Sequence, residues 1–332
     1  MDDFKYNVSV IVPIYNVEKF IARCVKSLME QSLDRVEYIF IDDATPDNSI
    51  IILKEVLSHY PQRSLHCQII KHEKNKGLPA ARNTGLNAAK GQYIFHCDSD
   101  DFVEHDMLKL MYEKALNTQA DIVWSDWYLS YGTKERYMYQ PEYESAYLAL
   151  KGILAGEMKY NVWNKLIKRT LYVENNIQFP SGHGMGEDMT IIKLFACANN
   201  VSCLHEAFYH YVKMNEGAMT MAWCEKHLSD LKYNVNETEC YIKSKYKNEL
   251  DDYLSYFKLC VKLPFLISTD FSMYKLWEEW YDEANGFILK NKTVCARTRI
   301  LQWMAWKKQY WFVWLYNMII QKFVYRIILG YR

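Results

Sequence analysis

A chain of 332 residues, 50% hydrophobic and 24% charged, is long enough for one large domain or one domain with an appendage, and has the balance of a globular protein. Its 40 Lys and Arg match 40 Asp and Glu, and this zero net charge argues against a whole-chain nucleic-acid binder. The zero hides an asymmetry, because no acid follows Glu283 while nine basic residues do, leaving −9 before that point and +9 after it.

The 12 Gly and 7 Pro are too few for a collagen-like or low-complexity chain. The nine Cys are odd in number and lack a C-x-x-C pair, so they read as reduced thiols of a cytoplasmic protein. No signal-peptide pattern is present, and no apolar run reaches the ~18 residues of a spanning helix.

In chain order, VSVIVPI (8–14) predicts a strand buried on both faces, and Phe20 to Met29 an amphipathic helix. EYIFI (37–41) predicts a second strand, ended by a turn and capping cluster at Asp42 to Asp47, with a helix over 48–59. A strand at 67–72, a helix at 80–89, a strand at 92–97, a helix at 106–117 and a strand at 120–127 follow. Such alternation predicts a mostly parallel sheet with helices on both faces, whose ligands bind beyond the carboxyl ends of the strands. Both acidic clusters, Asp42-Asp43 and Asp98-Ser99-Asp100-Asp101, follow predicted strands and are expected on one edge of the sheet. Segments 145–157, 163–176 and 187–199 read as helical and 201–212 as a strand. Helical patterning dominates beyond 224, and a soft boundary falls near 220.

Alternation along the strand end would point Asp98 and Asp100 the same way, a pair suited to a hard divalent cation. The same run also reads as a strand-to-helix turn with capping Asp residues. Lys76 and Arg82 stand on a loop and first helical turns just before it, which makes a diphosphate pocket plausible; a solvated basic face is the alternative. No G-x-G-x-x-G follows the first strand and no P-loop motif occurs. The glycines of Gly182-His183-Gly184-Met185-Gly186 read as a mobile loop.

V-S-V-I-V-P-I-Y-N (8–16), Asp42-Asp43, K-G-L-P-A-A-R-N-T-G-L (76–86), G-Q-Y-I (91–94) and D-S-D-D (98–101) stand in one order. In this the chain resembles the nucleotide-sugar-dependent family 2 glycosyltransferases of GT-A fold, strongly over 7–130 and faintly after 220. Ala44-Thr45 departs from the family's usual Gly-Ser, and His96-Cys97 from its usual apolar pair. The resemblance implies an α/β, Rossmann-like, mostly parallel sheet flanked by helices, with a helical C-terminal extension. It implies a catalytic domain over 1–220, with a nucleotide-sugar half to about 130 and an acceptor half to 220, and a helical region over 221–332.

The resemblance further implies roles. Pro13, Tyr15, Asp42 and Asp43 would hold the nucleotide base and ribose, and Arg82 and Lys76 would reach the diphosphate. Asp98 and Asp100, with Ser99 between them, would hold Mg²⁺ or Mn²⁺. Asp188, with Glu187 beside it, would take the acceptor's proton in an inverting displacement; the bare residues read instead as a helix-start cap. Trp163 and Asn164 would line the acceptor site, with a core Trp as the alternative. Tyr209-His210-Tyr211, Lys213 and Thr220 would close over the nucleotide. The implied partners are a nucleoside-diphosphate sugar, with uridine favoured as the base, and a glycan or lipid-linked glycan acceptor. A nucleotidyltransferase, or a catalytically inactive nucleotide-sugar or glycan-binding module, is the alternative.

The tail alternates Trp303, Trp306, Trp311, Trp314, Phe323 and Tyr325 with Lys307, Lys308, Lys322 and Arg326. It reads either as a peripheral contact with the inner face of the cytoplasmic membrane over 296–332 or as helix packed on the core.

Overall fold

A computed structural model describes residues 4–213 and 223–320. Thr220, Lys322, Phe323, Tyr325 and Arg326 lie outside them. The chain divides into two compact units, Met1–Ala149 with Tyr160–Thr238, and Leu150–Lys159 with Glu239–Arg332.

The first unit carries a nine-stranded sheet built from β1 (Tyr6–Ile14), β2 (Val36–Asp42), β3 (Cys67–Lys71), β4 (Gly91–His96), β5 (Phe102–Val103), β6 (Ile122–Tyr131), β7 (Lys134–Met138), β8 (Lys165–Lys168) and β9 (Val201–Val212). Their order is β3-β2-β1-β4-β8-β6-β9-β5, with β7 paired to β6. The first four strands in that order run parallel. β1 and β2 are buried almost throughout, as the apolar runs require when helices cover both faces. β3, at the edge, is half open.

The helices of this unit are α1 (Ile21–Met29), α2 (Ser49–Ser58), α3 (Pro61–Ser64), α4 (Leu78–Ala88), α5 (Met107–Thr118), α7 (Arg169–Glu174) and α8 (Thr190–Phe195). α6 (Ala146–Leu154) and α9 (Glu225–Tyr246) each carry the chain from one unit to the other. α1 buries Ile21, Cys24, Val25, Leu28 and Met29, the one-turn stripe its sequence shows. α4 lies close against β1: a Cβ at Gly85 would meet Ile11 Cγ2 at 2.3 Å, so only glycine permits the approach. Ala81 and Arg82, one turn earlier, are buried with it.

The second unit is helical, with α10 (Asp251–Lys262), α11 (Phe271–Glu279), α12 (Ala296–Trp306) and α13 (Tyr310–Asn317). All nine cysteines are thiols, with Cys24 and Cys97 buried.

Three local expectations are corrected. Lys165–Lys168 is a strand, not helix, because it pairs antiparallel with β4 on one side and β6 on the other. Four residues with two apolar ones carry no period to reveal this. The segment 187–199 opens with a 3₁₀ turn, Glu187–Met189, before α8 begins. β4 ends at His96, and Asp98 to Asp101 form a turn in which the Asp101 N–H donates to the Asp98 carbonyl at 3.2 Å. Strand alternation therefore does not orient Asp98 and Asp100.

Candidate active site

The parallel register sets the site's floor. Ile14 faces Asp42 across β1 and β2, Asp42 faces Lys71, and Ile11 faces His96. Tyr15, Asp43, His72 and Asp98 therefore leave neighbouring strands at the same edge. Both acidic clusters thus leave the sheet at one edge, and Tyr15 is exposed.

Asp43 is buried and saturated. Its carboxylate accepts from the Lys76 N–H at 2.8 Å, the Gly77 N–H at 2.9 Å and His72 Nδ1 at 2.6 Å. Gly77 holds φ +85°, a left-handed conformation that brings two successive N–H groups onto one carboxylate and starts α4. His72 Nε2 bonds Thr84 Oγ1 at 2.9 Å, so the imidazole ties Asp43 to the body of α4. Asp42, also buried, accepts from the Thr45 N–H at 3.0 Å and closes the turn. Lys76 keeps its side chain exposed.

Arg82, five residues along α4 from Gly77, is 1% exposed. Its Nη1 lies 2.7 Å from Asp188 Oδ1 and 3.4 Å from Glu187 Oε1, and its Nη2 lies 3.1 Å from Asp98 Oδ1. Burial alone would lower its pKa, but Asp188, Asp98 and Glu187 outweigh this and push it above the ordinary arginine value. The guanidinium is thus committed to carboxylates. This corrects the expectation that it is turned to a diphosphate, since an unpaired buried carboxylate costs more than a surface contact gains.

The two acids before α8 are unequal. Burial, then the neighbouring Asp188, pushes Glu187 up to about 8. Burial also raises Asp188, but it holds the shorter bond to Arg82 and a more open side chain. Both carboxyls are thus raised by burial, and Asp188 is the one that faces Arg82 more closely.

The D-S-D-D turn is braced from β9. The Tyr209 hydroxyl donates to Asp101 Oδ2 at 2.8 Å and accepts from the Asp98 N–H at 3.0 Å, while the Val212 N–H donates to Asp101 Oδ1 at 2.7 Å. Asp101 is wholly buried; burial, then Asp100 and Asp98, raises its pKa well above the usual range. Ser99 is buried, whereas Asp98 and Asp100 are partly open. Among the described residues no three His, Cys, Asp or Glu side chains gather into a metal-binding group. Asp98 and Asp100 are the partly open carboxylates of this turn, the oxygen type a hard cation takes, and Asp98 Oδ1 already meets Arg82.

Trp163 and Asn164 do not line a surface. Trp163 stacks on Tyr209 at 4.5 Å and on Tyr211 at 5.3 Å, and Asn164 Nδ2 donates to the Ser125 carbonyl at 2.9 Å. Both are buried, so the core alternative holds for the tryptophan. His210 is clasped between Glu135 at 2.6 Å and Glu104 at 2.8 Å and stacks on Phe102, which fixes it in the sheet. His96 is fully buried, with its pKa held well below the usual value by burial, then by Arg82.

The sequence assigns Lys165 no role. It is wholly buried, donates to the Asn161 carbonyl at 2.7 Å and Asn164 Oδ1 at 2.9 Å, and is pushed down to about 7 by burial while Asp188 favours its charge. The lysine follows Trp-Asn directly, but nothing in that spacing shows that β8 buries it. The loop before Glu187 is held, not loose: buried Asp230 of α9 accepts from the Gly184 N–H at 3.2 Å and faces His183 Nδ1 at 3.2 Å. His183 stacks on Tyr233 with centroids 3.7 Å apart.

Residues 9–191 match the family model "Glycosyl transferase family 2". The chain is 34% identical over 222 residues to the uncharacterized glycosyltransferase EpsJ of Bacillus subtilis (strain 168), covering 64% of this chain and 62% of that protein. It is 28% identical over 227 residues to the minor teichoic acid biosynthesis protein GgaB of the same organism, covering 66% of this chain and 24% of that protein. The chain thus spans less than two thirds of either relative. Among solved structures, S. aureus TarS 1–349 in complex with UDP-GlcNAc superposes with a TM-score of 0.68 at 21% identity, covering 95% of this chain and 92% of that one. The likeness shows the GT-A fold: a curled, mostly parallel sheet flanked by helices, followed by a helical C-terminal region.

Proposed function

The chain belongs to glycosyl transferase family 2, and from that premise we propose that it moves a sugar from a UDP-sugar to an acceptor hydroxyl of a surface glycan, with inversion at the anomeric carbon. The observation that carries this reading is Arg82, which draws Asp98 and the Glu187-Asp188 pair to one point although they lie far apart in sequence. A nucleotide-handling edge and a proton-accepting carboxylate then share one rim.

Tyr15 offers an exposed ring and hydroxyl to the base and ribose beside Pro13 and the Asp42-Asp43 turn. The Lys76 side chain is open to a diphosphate. Asp98 and Asp100 would hold Mg²⁺ or Mn²⁺, which when bound stabilises negative charge developing on the leaving diphosphate. Asp188 accepts the proton of the acceptor hydroxyl as that oxygen bonds to the anomeric carbon. The bond from that carbon to the phosphate oxygen breaks, and its electron pair leaves with the nucleoside diphosphate. Arg82 aims Asp188 and favours its charged form, and burial holds the neighbouring Glu187 above the usual carboxylate range.

The UDP-GlcNAc held by the structurally similar TarS supports uridine as the base. The name of GgaB supports a cell-surface polymer such as a teichoic acid, capsule or exopolysaccharide as the acceptor's setting. The nine thiols favour a cytoplasmic site of action.

The test is release of free nucleoside diphosphate from a panel of nucleotide sugars with Mn²⁺, with and without EDTA. EDTA-sensitive release from one UDP-sugar is expected. Binding without turnover would reassign the chain as a sugar-nucleotide binding module, and pyrophosphate formation from a sugar phosphate and a nucleoside triphosphate as a nucleotidyltransferase.

A further inference from the structure

In the second unit, α13 is turned inside out for a helix in water. Its buried side is Val313 and Asn317, with Asn317 Nδ2 donating to the Leu266 carbonyl at 2.7 Å. The opposite side carries Trp311, 60% exposed, Trp314, 37%, Leu315, 42%, and, in the turn after it, Ile319, 49%. These positions fall at i, i+3, i+4 and i+8, one continuous apolar stripe where a soluble helix is polar.

Charge says what covers it. Every charged residue after Glu283 is basic, and Lys307 and Lys308, which lead into α13, are exposed. Lys308 Nζ pairs with Glu278 Oε1 of α11 at 2.5 Å, so Lys307 is the lysine there turned to the lipid. The Lys307 ammonium stands 4.5 Å from the ring centroid of Trp306, which is 40% exposed. A second copy of the chain would bring like charge against like, whereas an anionic lipid surface supplies opposite charge and an apolar layer for the indoles. Among the described residues no helix is long and apolar enough to cross a membrane.

We propose that the Trp311–Trp314–Leu315 face of α13, continued by Ile319 and flanked by Lys307, docks this chain on the surface of an anionic bilayer. The test is flotation of the full chain with vesicles of phosphatidylcholine alone or mixed with phosphatidylglycerol. Binding is expected only to the anionic vesicles and is expected to weaken with salt. Trp311→Ser with Leu315→Ser is expected to weaken it by more than about tenfold at an unchanged melting temperature. Lys307→Ala is expected to cost roughly fivefold, the worth of one basic residue at an anionic surface. Brominated lipids are expected to quench the wild-type tryptophans, a readout that needs no variant. No flotation, equal flotation with both lipids, or no quenching overturns the proposal. So does a dimer in light scattering that the serine variant converts to monomer, which would assign the face to a second copy.

Discussion

Arg82 Nη1 and Asp188 Oδ1 lie 2.7 Å apart although 106 residues separate them. The bond joins α4, whose first turn is fixed by Asp43, to the turn that opens α8. One helix therefore couples the Asp43 turn to the turn that carries Asp188.

Removing the arginine is expected to cost more than removing a surface ion pair. Arg82→Met leaves buried carboxylates without a counter-charge, so a loss of about 3–5 kcal/mol in urea unfolding is expected. Arg82→Lys keeps the charge but loses the fork that reaches Asp98 and Asp188 together, so a smaller stability loss with nearly complete loss of turnover is expected. Wild-type turnover in either variant would detach Arg82 from the site.

The roles of Asp188 and Asp100 separate in binding and turnover. Asp188→Asn is expected to lower turnover by roughly 10²–10⁴-fold, the range for a general base, with donor binding retained by thermal shift. Asp100→Ala is expected to lose turnover and to weaken nucleotide binding in the presence of Mn²⁺. An active Asp188→Asn enzyme would remove Asp188 as the base.

Glu187 gives the fold a pH signature. Its carboxyl rises from an ordinary 4.5 to about 8, so the folded protein binds this proton more tightly than the unfolded chain. That contribution is fully present below 4.5 and is lost as pH climbs through 8, so stability from this group falls with rising pH across the window. Glu187→Gln, neutral throughout, is expected to flatten this part of the stability curve and to retain activity near neutrality. An unchanged slope would show that Glu187 is ionised.

Asp230 is expected to act at a distance. It faces Lys226 at 3.4 Å as well as His183 and the Gly184 N–H, all holding the loop that delivers Glu187 and Asp188. Asp230→Ala is expected to cost about 1–3 kcal/mol and to speed hydrogen exchange across residues 182–188. Turnover should fall with donor affinity little changed. Exchange unchanged over that loop would assign the loop's order to other contacts.

The strand–helix alternation over 8–127, the parallel sheet and the acidic ends of its strands are all legible in the sequence, because they rest on local periodicity and on residue types at strand ends. Hydrophobic stripes of this length have one good solution when both faces of a sheet must be covered. β8 shows the limit: KLIK becomes a strand only because β4 and β6 stand either side of it, and that pairing brings buried Lys165 within electrostatic reach of Asp188.

What tertiary structure alone decided is the destination of each polar group. In the sequence Arg82 is a basic residue near acids and Trp163 an aromatic near a loop. Only the fold turns one inward onto three carboxylates and the other onto Tyr209 and Tyr211. The reason is that burial and charge pairing are sums over neighbours distant in the chain, and the short-range pattern of a sequence carries no record of them.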